Sequence, residues 1–317
     1  MAITNIHEDI IKTHILTKLD GQTLAAAGCT SSHLQSLCSD QTLWSNICHS
    51  TWPSTADPLI TKAISTFSSG HRSFYSDATS PPTHHLTPTT ATSSAPTTQL
   101  ISSVDLRYHD ELIFSKVEST NTTPSDWFQT SPFRVDLLEP NEIVLSAVKI
   151  SGDGQVLLTD LENNMTLSWV LIDPTRNRAV NVSSVKPVSV QRNWLTNNVE
   201  LTFAVVIVPD YVNCNVQVTC GVNEGRGEFT MTGVSLTVLD VYGKCLSGKD
   251  SMVILQGLAS GTPRSRGGGE ERERYREYIR RRRERNEKTE RRERWLDTAF
   301  VAGGVAIFMA FWSFAIC

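Results

Sequence analysis

The sequence predicts a multidomain α+β protein: an N-terminal helical unit, a central antiparallel β-sandwich, then a C-terminal charged helix and a single transmembrane helix. Three observations carry this reading. Near the N-terminus the apolar residues Ile11, Ile15 and Leu19 recur at four-residue steps, which sets them along one face of a helix. From Leu100 to about Leu258 the period falls to two, as in Val104, Leu106 and Tyr108, or Leu167, Trp169 and Leu171, the spacing of strands. The sequence closes on Thr298 to Cys317, twenty residues without a charge. As a helix rising ~1.5 Å per residue, such a run spans ~30 Å, about the hydrocarbon thickness of a bilayer.

Composition narrows the functional class. The 317 residues carry a net charge of -4, but it is segregated: residues 264 to 294 hold thirteen Arg, one Lys and eight Glu, leaving the rest of the chain at -10. Seven cysteines form no Cys-x-x-Cys pair, and no His is spaced to complete a zinc site, so neither a disulfide framework nor a metal or other cofactor is implied. The first residues lack a basic patch followed by an apolar run, so a reducing cytosol or nucleus is expected. No glycine pattern marks a nucleophilic Ser, no phosphate loop occurs, and Leu100 to Leu258 contains one His, His109. A catalytic role is not indicated.

Residues 1 to 52 form the first unit. Glu8 and Asp9 suit the positive end of a helix dipole, and Ile10 and Leu16 broaden the apolar stripe. Asp20-Gly21 breaks the chain, a short Ala-rich helix runs from Thr23 to Gly28, a third helix carries Leu34 and Leu37, and Asp40 opens a fourth with Leu43, Trp44 and Ile47. So small a unit holds little core, and its apolar residues call for an outside surface. The run Ile6-His7-Glu8-Asp9-Ile10-Ile11, with Ile15-Leu16, Leu19, Leu24, Ala25 to Ala27, Cys29, Leu37 and Trp44, resembles the F-box, the motif by which substrate receptors dock on the Skp adaptor of cullin ubiquitin ligases. The resemblance implies that Ile6, Glu8, Asp9, Ile10, Ile11, Ile15, Leu16, Leu19, Leu24, Leu37 and Trp44 bind the adaptor. The chain departs from the motif at His7, where most F-boxes carry Pro, and at Leu34, where a larger residue is usual. The wider sequence resembles plant F-box proteins that include the cytokinin-induced type, through Ser69-Gly70-His71-Arg72-Ser73-Phe74-Tyr75-Ser76-Asp77 and Ser189-Val190-Gln191-Arg192-Asn193-Trp194-Leu195.

Residues 53 to 78 read as a helical extension built on Leu59, Ile60, Ala63, Ile64 and Phe67. Residues 79 to 99, rich in Thr, Ser and Pro, read as a disordered or extended linker. Residues 100 to 258 are the β-sandwich, expected to recognise the target; alternation makes Trp169 a core residue, while Trp194 suits a core or a stacking role equally. Residues 259 to 269 form a second flexible joint and 270 to 294 an Arg/Glu-rich solvated helix. The basic run around Arg280-Arg281-Arg282-Arg283 fits a nucleic-acid arm, a nuclear-import signal or the cytosolic flank of a membrane span. The uncharged tail, 298 to 317, selects the third, with Trp295 and Trp312 as interfacial anchors, Gly303 and Gly304 as sites of close helix pairing, and the body facing the cytosol from the endoplasmic reticulum or nuclear envelope. The function implied is a non-catalytic, membrane-tethered receptor that brings an unknown protein target to a Skp adaptor and cullin. The competing reading is a lectin-like or scaffold protein whose F-box-like helices serve a non-degradative partner.

Overall fold

The computed structural model describes residues 7–80, 97–149, 154–208, 210–223, 228–260 and 270–316. Its first unit is helical: α1 (Glu8–Ile10) runs into a π turn (Ile11–Ile15) and a 3-10 turn (Leu16–Lys18), followed by α2 (Gly21–Gly28), α3 (Ser32–Cys38) and α4 (Gln41–Thr51). Side chains cap the later three: Asp20 accepts from the Thr23 N–H at 2.7 Å, Ser31 from Leu34 at 3.2 Å and Asp40 from Thr42 at 2.9 Å. A 3-10 turn (Pro53–Ala56), α5 (Pro58–Ile64) and α6 (Gly70–Thr79) complete the helical half.

The middle of the chain forms two antiparallel sheets. β1 (Gln99–Tyr108) and β2 (Glu111–Asn121) are joined by a two-residue turn in which His109 and Asp110 both take positive φ, 48° and 64°, the twist that suits a tight hairpin. After α7 (Asp126–Thr130) come β3 (Arg134–Asp136), β4 (Val144–Lys149), α8 (Gly154–Asn164), β5 (Met165–Asp173), β6 (Arg178–Asn181), β7 (Ser189–Arg192), β8 (Val199–Ile207), β9 (Val212–Asn223) and β10 (Glu228–Leu239). The first sheet is ordered β2-β1-β5-β6 and the second β3-β10-β9-β8-β7, with β4 also paired to β10. α9 (Gly248–Ser260) and α10 (Glu270–Ile316) follow.

Alternation decides which residues face which layer. Leu100, Val104, Leu106 and Tyr108 of β1, with Leu167, Trp169 and Leu171 of β5, meet Leu201, Phe203 and Val205 of β8 and Val234, Leu236 and Val238 of β10 in one buried cluster. Trp169 is wholly buried, its indole N–H donating to Ser102 Oγ at 3.2 Å. The intervening residues Ile101, Val170, Ile172 and Ala179 point the other way, into a cluster with Ile60, Ile64, Phe67 and Phe74 of the helical extension. The first sheet is therefore covered on both faces, and Ser103 and Asp105 on its helix side are buried. Asp105, 3 % exposed, accepts from the Ser54 N–H at 3.0 Å, Ser54 Oγ at 2.5 Å and Ser115 Oγ at 2.8 Å, and burial pushes its carboxyl up despite those bonds. This carboxyl ties the turn Pro53–Ala56 to the sheet.

The run Ser69–Asp77 fastens the helical half together. Gln41 Nε2 donates to the Ser69 carbonyl at 3.0 Å and its Oε1 accepts from the His71 N–H at 3.2 Å, around Gly70 at φ 52°. The Tyr75 ring lies between Trp44 and Trp52, centroids 5.4 and 5.6 Å away, and over Gly21, where an added Cβ would come within 2.2 Å of it. Asp77 accepts from the Ala179 N–H at 3.0 Å and pairs with Arg178 at 2.9 Å. One helix thus touches α2, α4 and the first sheet.

At the other end the structure corrects the expected architecture. The Arg/Glu-rich segment and the apolar tail are one continuous helix, α10, and its start is docked rather than solvated. Tyr278 is 1 % exposed and donates to the Asp240 carbonyl at 2.8 Å; Arg281 lies 4.0 Å over the Tyr211 ring; and Arg272 pairs with Glu162 at 2.9 Å. Four Glu-to-Arg pairs at i,i+4, such as Glu277 with Arg281 at 2.7 Å, support the helix from within. Among the described residues no helix is long and apolar enough to cross a membrane, so the single transmembrane helix, its anchors Trp295 and Trp312, and the lipid-bilayer partner are withdrawn. What the sequence separates as a span of its own is the end of one 47-residue helix, α10, whose first half carries charge in every turn. Of the proposed linker, Thr79 ends α6 and Thr97 is buried, donating to Asp173 at 2.5 Å, while 81–96 lie outside the described residues. Of the second joint, Ala259 and Ser260 belong to α9 and 261–269 lie outside them.

Two outcomes follow from this packing. Tyr75→Ala removes a half-buried aromatic ring packed against two clusters and is expected to cost about 2 to 3 kcal/mol in denaturant unfolding, with Tyr75→Phe close to wild type. At the α4/α6 seam the His49 and His71 rings meet edge to face at 5.9 Å, and burial, then His49, lowers the His71 pKa. A histidine whose folded pKa lies below its unfolded value binds protons better when unfolded, so its contribution is lost as pH falls through the unfolded value of about 6.5 toward the lower folded one. The melting temperature of wild type relative to His71→Asn should therefore fall over that window; a constant difference would refute the assignment.

Candidate functional site

The candidate site is the outer surface of the first helical segment. His7, in the position usually held by Pro, caps it, its Nδ1 accepting from the Asp9 N–H at 3.3 Å. Thr13 and Thr17 then donate their hydroxyls to carbonyls four residues back, at 2.6 and 2.7 Å, a bond that competes with the helical ladder. The segment widens to a π turn in which the Leu16 N–H bonds the Ile11 carbonyl. A five-residue step thus brings Leu16 onto the inward face with Ile11. Ile15, which a regular helix would stack on Ile11, turns outward.

Of the eleven residues read as adaptor contacts, the ten that are described fall accordingly into two sets. Ile11, Leu16, Leu24, Leu37 and Trp44, none more than 5 % exposed, are the unit's own core, with Leu19 packed at its edge. The Trp44 indole donates to the Cys38 carbonyl at 2.7 Å inside it. Ile10 and Ile15 are 49 % and 43 % exposed, and Glu8 and Asp9 are exposed beside them. Ile6 lies outside the described residues. The outer surface is therefore a short apolar strip with two carboxylates at its leading end. Asp40 is drawn off by Lys12 at 3.1 Å, and its bonds from Thr42, then Lys12, lower its pKa.

A second exposed feature stands on the sandwich. Between β7 and β8, Trp194 is 91 % and Leu195 75 % exposed. Their loop is braced: Asn193 Oδ1 accepts from the N–H of Leu195 at 3.0 Å and of Thr196 at 3.2 Å, Asn193 Nδ2 donates to Glu200 at 2.8 Å, and Arg192 donates to Asn197 at 3.1 Å. Of the two roles open to Trp194, core and stacking, the first is excluded. Its signal was in the sequence, a Trp between Asn193 and a polar turn. The seam residues Gln41, Gly21 and Asp105 gave no comparable signal, because each acts through a partner distant in sequence.

Among the described residues no group of three or more His, Cys, Asp or Glu is gathered as metal ligands. The F-box-like family model matches residues 10–50, the helical unit just described. Three proteins of Arabidopsis thaliana are similar along nearly the whole chain. F-box protein At2g27310 is 43 % identical over 99 % of this chain and 96 % of its own length. F-box protein At3g44326 is 40 % identical over 100 % and 90 %, and probable F-box protein At2g36090 is 42 % identical over 97 % and 91 %. No solved structure matches. A likeness of this extent reaches well beyond the docking helices to the sandwich and α10, and the chain belongs to the family of F-box proteins.

Proposed function

We propose that this F-box protein is the substrate receptor of a Skp, cullin and F-box ubiquitin ligase, docking its adaptor through the strip Ile10 and Ile15 with Glu8 and Asp9. The observation that carries the reading is the exposure of those two isoleucines on a unit whose remaining apolar residues are satisfied internally. The chain's part is not catalytic: it holds a target beside a ubiquitin-charged partner, and the gain is effective concentration. The target binds on the sandwich, where the braced Trp194-Leu195 hairpin offers an apolar contact at little ordering cost. The runs Ser69–Asp77 and Ser189–Leu195 support a narrower place among the cytokinin-induced type, which transcript levels before and after cytokinin treatment decide.

Burying an isoleucine contributes about 2 kcal/mol, and a charge in its place costs more, so Ile10→Asp with Ile15→Asp should weaken adaptor capture by roughly a hundredfold or more. Circular dichroism should be unchanged, because both side chains already face water. Ile11→Asp should instead unfold the helical unit. Adaptor capture at wild-type strength by the folded double variant would reject the assigned face.

Trp194→Ala should leave adaptor capture and melting temperature as in wild type while lowering ubiquitination of co-purified targets by tenfold or more, on the order of a hot-spot contact. Unchanged ubiquitination would remove the hairpin from the target site.

A further inference from the structure

The second half of α10 leaves the body of the protein. Tyr278 and Arg281 hold its first turns to the second sheet, but every residue from Glu287 to Met309 is exposed. The turns up to Arg294 need no cover, since Arg291 pairs with Glu287 at 3.8 Å and Arg294 with Glu290 at 3.1 Å. The turns beyond do. Trp295 is 69 % exposed, Phe300 82 %, Val301 68 %, Ile307 73 %, Phe308 63 % and Phe311 74 %. With aromatic side chains of about 150 to 250 Å² each, the face that carries Trp295, Leu296, Phe300, Ile307 and Met309 bares roughly 600 Å² by itself. That is at the upper limit of the apolar patch a monomer leaves, about 300 to 600 Å², and above the roughly 500 Å² from each partner that a specific interface requires.

The glycines indicate what covers it. Gly303 and Gly304 sit in the helix interior, where each costs about 1 kcal/mol relative to Ala. A Cβ at either would meet nothing within 4 Å, so no contact inside the chain calls for them. What an interior glycine on a bare helix permits is the close approach of another helix backbone. Gly303 shares its face with Ala299 and Ala306, at steps of four and three, while Leu296, Phe300 and Ile307 rise on one side and Trp295 and Met309 on the other. A shallow seam between two ridges is complementary to itself under a two-fold rotation.

We propose that the exposed half of α10 pairs with α10 of a second copy of this chain, packed along the seam Ala299, Gly303 and Ala306. Its ion-paired stretch upstream carries both signs, so two copies lie side by side without one uniform charge facing another. Dimerisation so placed leaves the docking helices and the Trp194 hairpin of each copy free, and each dimer presents two receptors.

Sedimentation velocity of the full chain tests this. The wild type should sediment as twice its 35.1 kDa mass, and Gly303→Leu, which adds a helix-favouring side chain into open space, should weaken association at least tenfold without lowering helicity or melting temperature. Ala302→Leu, beside the seam, should weaken it less. A monomeric wild type, or a Gly303→Leu dimer as tight as wild type, would overturn the proposal. So would equal flotation of both forms with phosphatidylcholine vesicles, which would assign the face to a lipid surface. Adaptor capture should be the same in all forms, so that the outcome is independent of the proposed receptor role.

Discussion

The position of the Tyr75 ring governs the rest of the structure. It packs, half-buried, at once against the core of the docking helices, with Leu24 and Trp44, and against the layer that covers the first sheet, with Trp52 and Phe74. Aromatic contacts at 5.4 and 5.6 Å hold it from two sides, and the third side is open only because residue 21 is glycine. Burial raises its pKa, since a phenolate there would lose part of its hydration. A docking unit of this size has little core of its own, and here it draws part of one from the next helix.

That constraint bears on function through geometry. A receptor working by proximity gains rate only if the distance and orientation between its two binding faces are held, because a loose connection dilutes the effective concentration it creates. The connection here is made of short-range, directional contacts. Gln41 clamps both ends of the turn at Gly70, Asp77 holds the Ala179 N–H, and Asp105 holds Ser54. Asp105 is buried and Asp77 half-buried, and burial raises both pKa values, so removing their donors would leave a partly desolvated acid, costlier than a surface ion pair. The helices and the first sheet therefore hold one relative position.

How much of this was legible depended on whether the responsible interaction was local. The docking helices and the strands announced themselves, since periods of 3.6 and 2 are set by the residues themselves. The caps Asp20, Ser31 and Asp40 lie next to what they cap. The inward and outward faces of the first helix were not legible, because a π turn shifts the register at Ile15, and that turn depends on hydroxyl bonds no periodicity encodes. Ser103 and Asp105 read as solvent-facing by alternation, yet both are buried because a turn fifty residues earlier lies over them. The two halves of α10 read as two elements because their compositions differ, while the backbone sees only unbroken helical propensity.

α10 also shows why composition misjudged the arginines. A run holding Arg280, Arg281, Arg282 and Arg283 looks like charge in search of a polyanion, but guanidinium groups are weakly hydrated and stack well on aromatic rings. Arg281 does so on Tyr211 while keeping its pair with Glu277, and Arg280 pairs with Glu277 at 2.5 Å. Arg285 lies 5.8 Å over Tyr242, one turn further on. Lysines here would give up most of this, having no planar face to lay on a ring. The basicity of the segment is thus in large part adhesive: it fixes the start of a long helix to the second sheet, and that fixed start determines where the bare apolar half is presented.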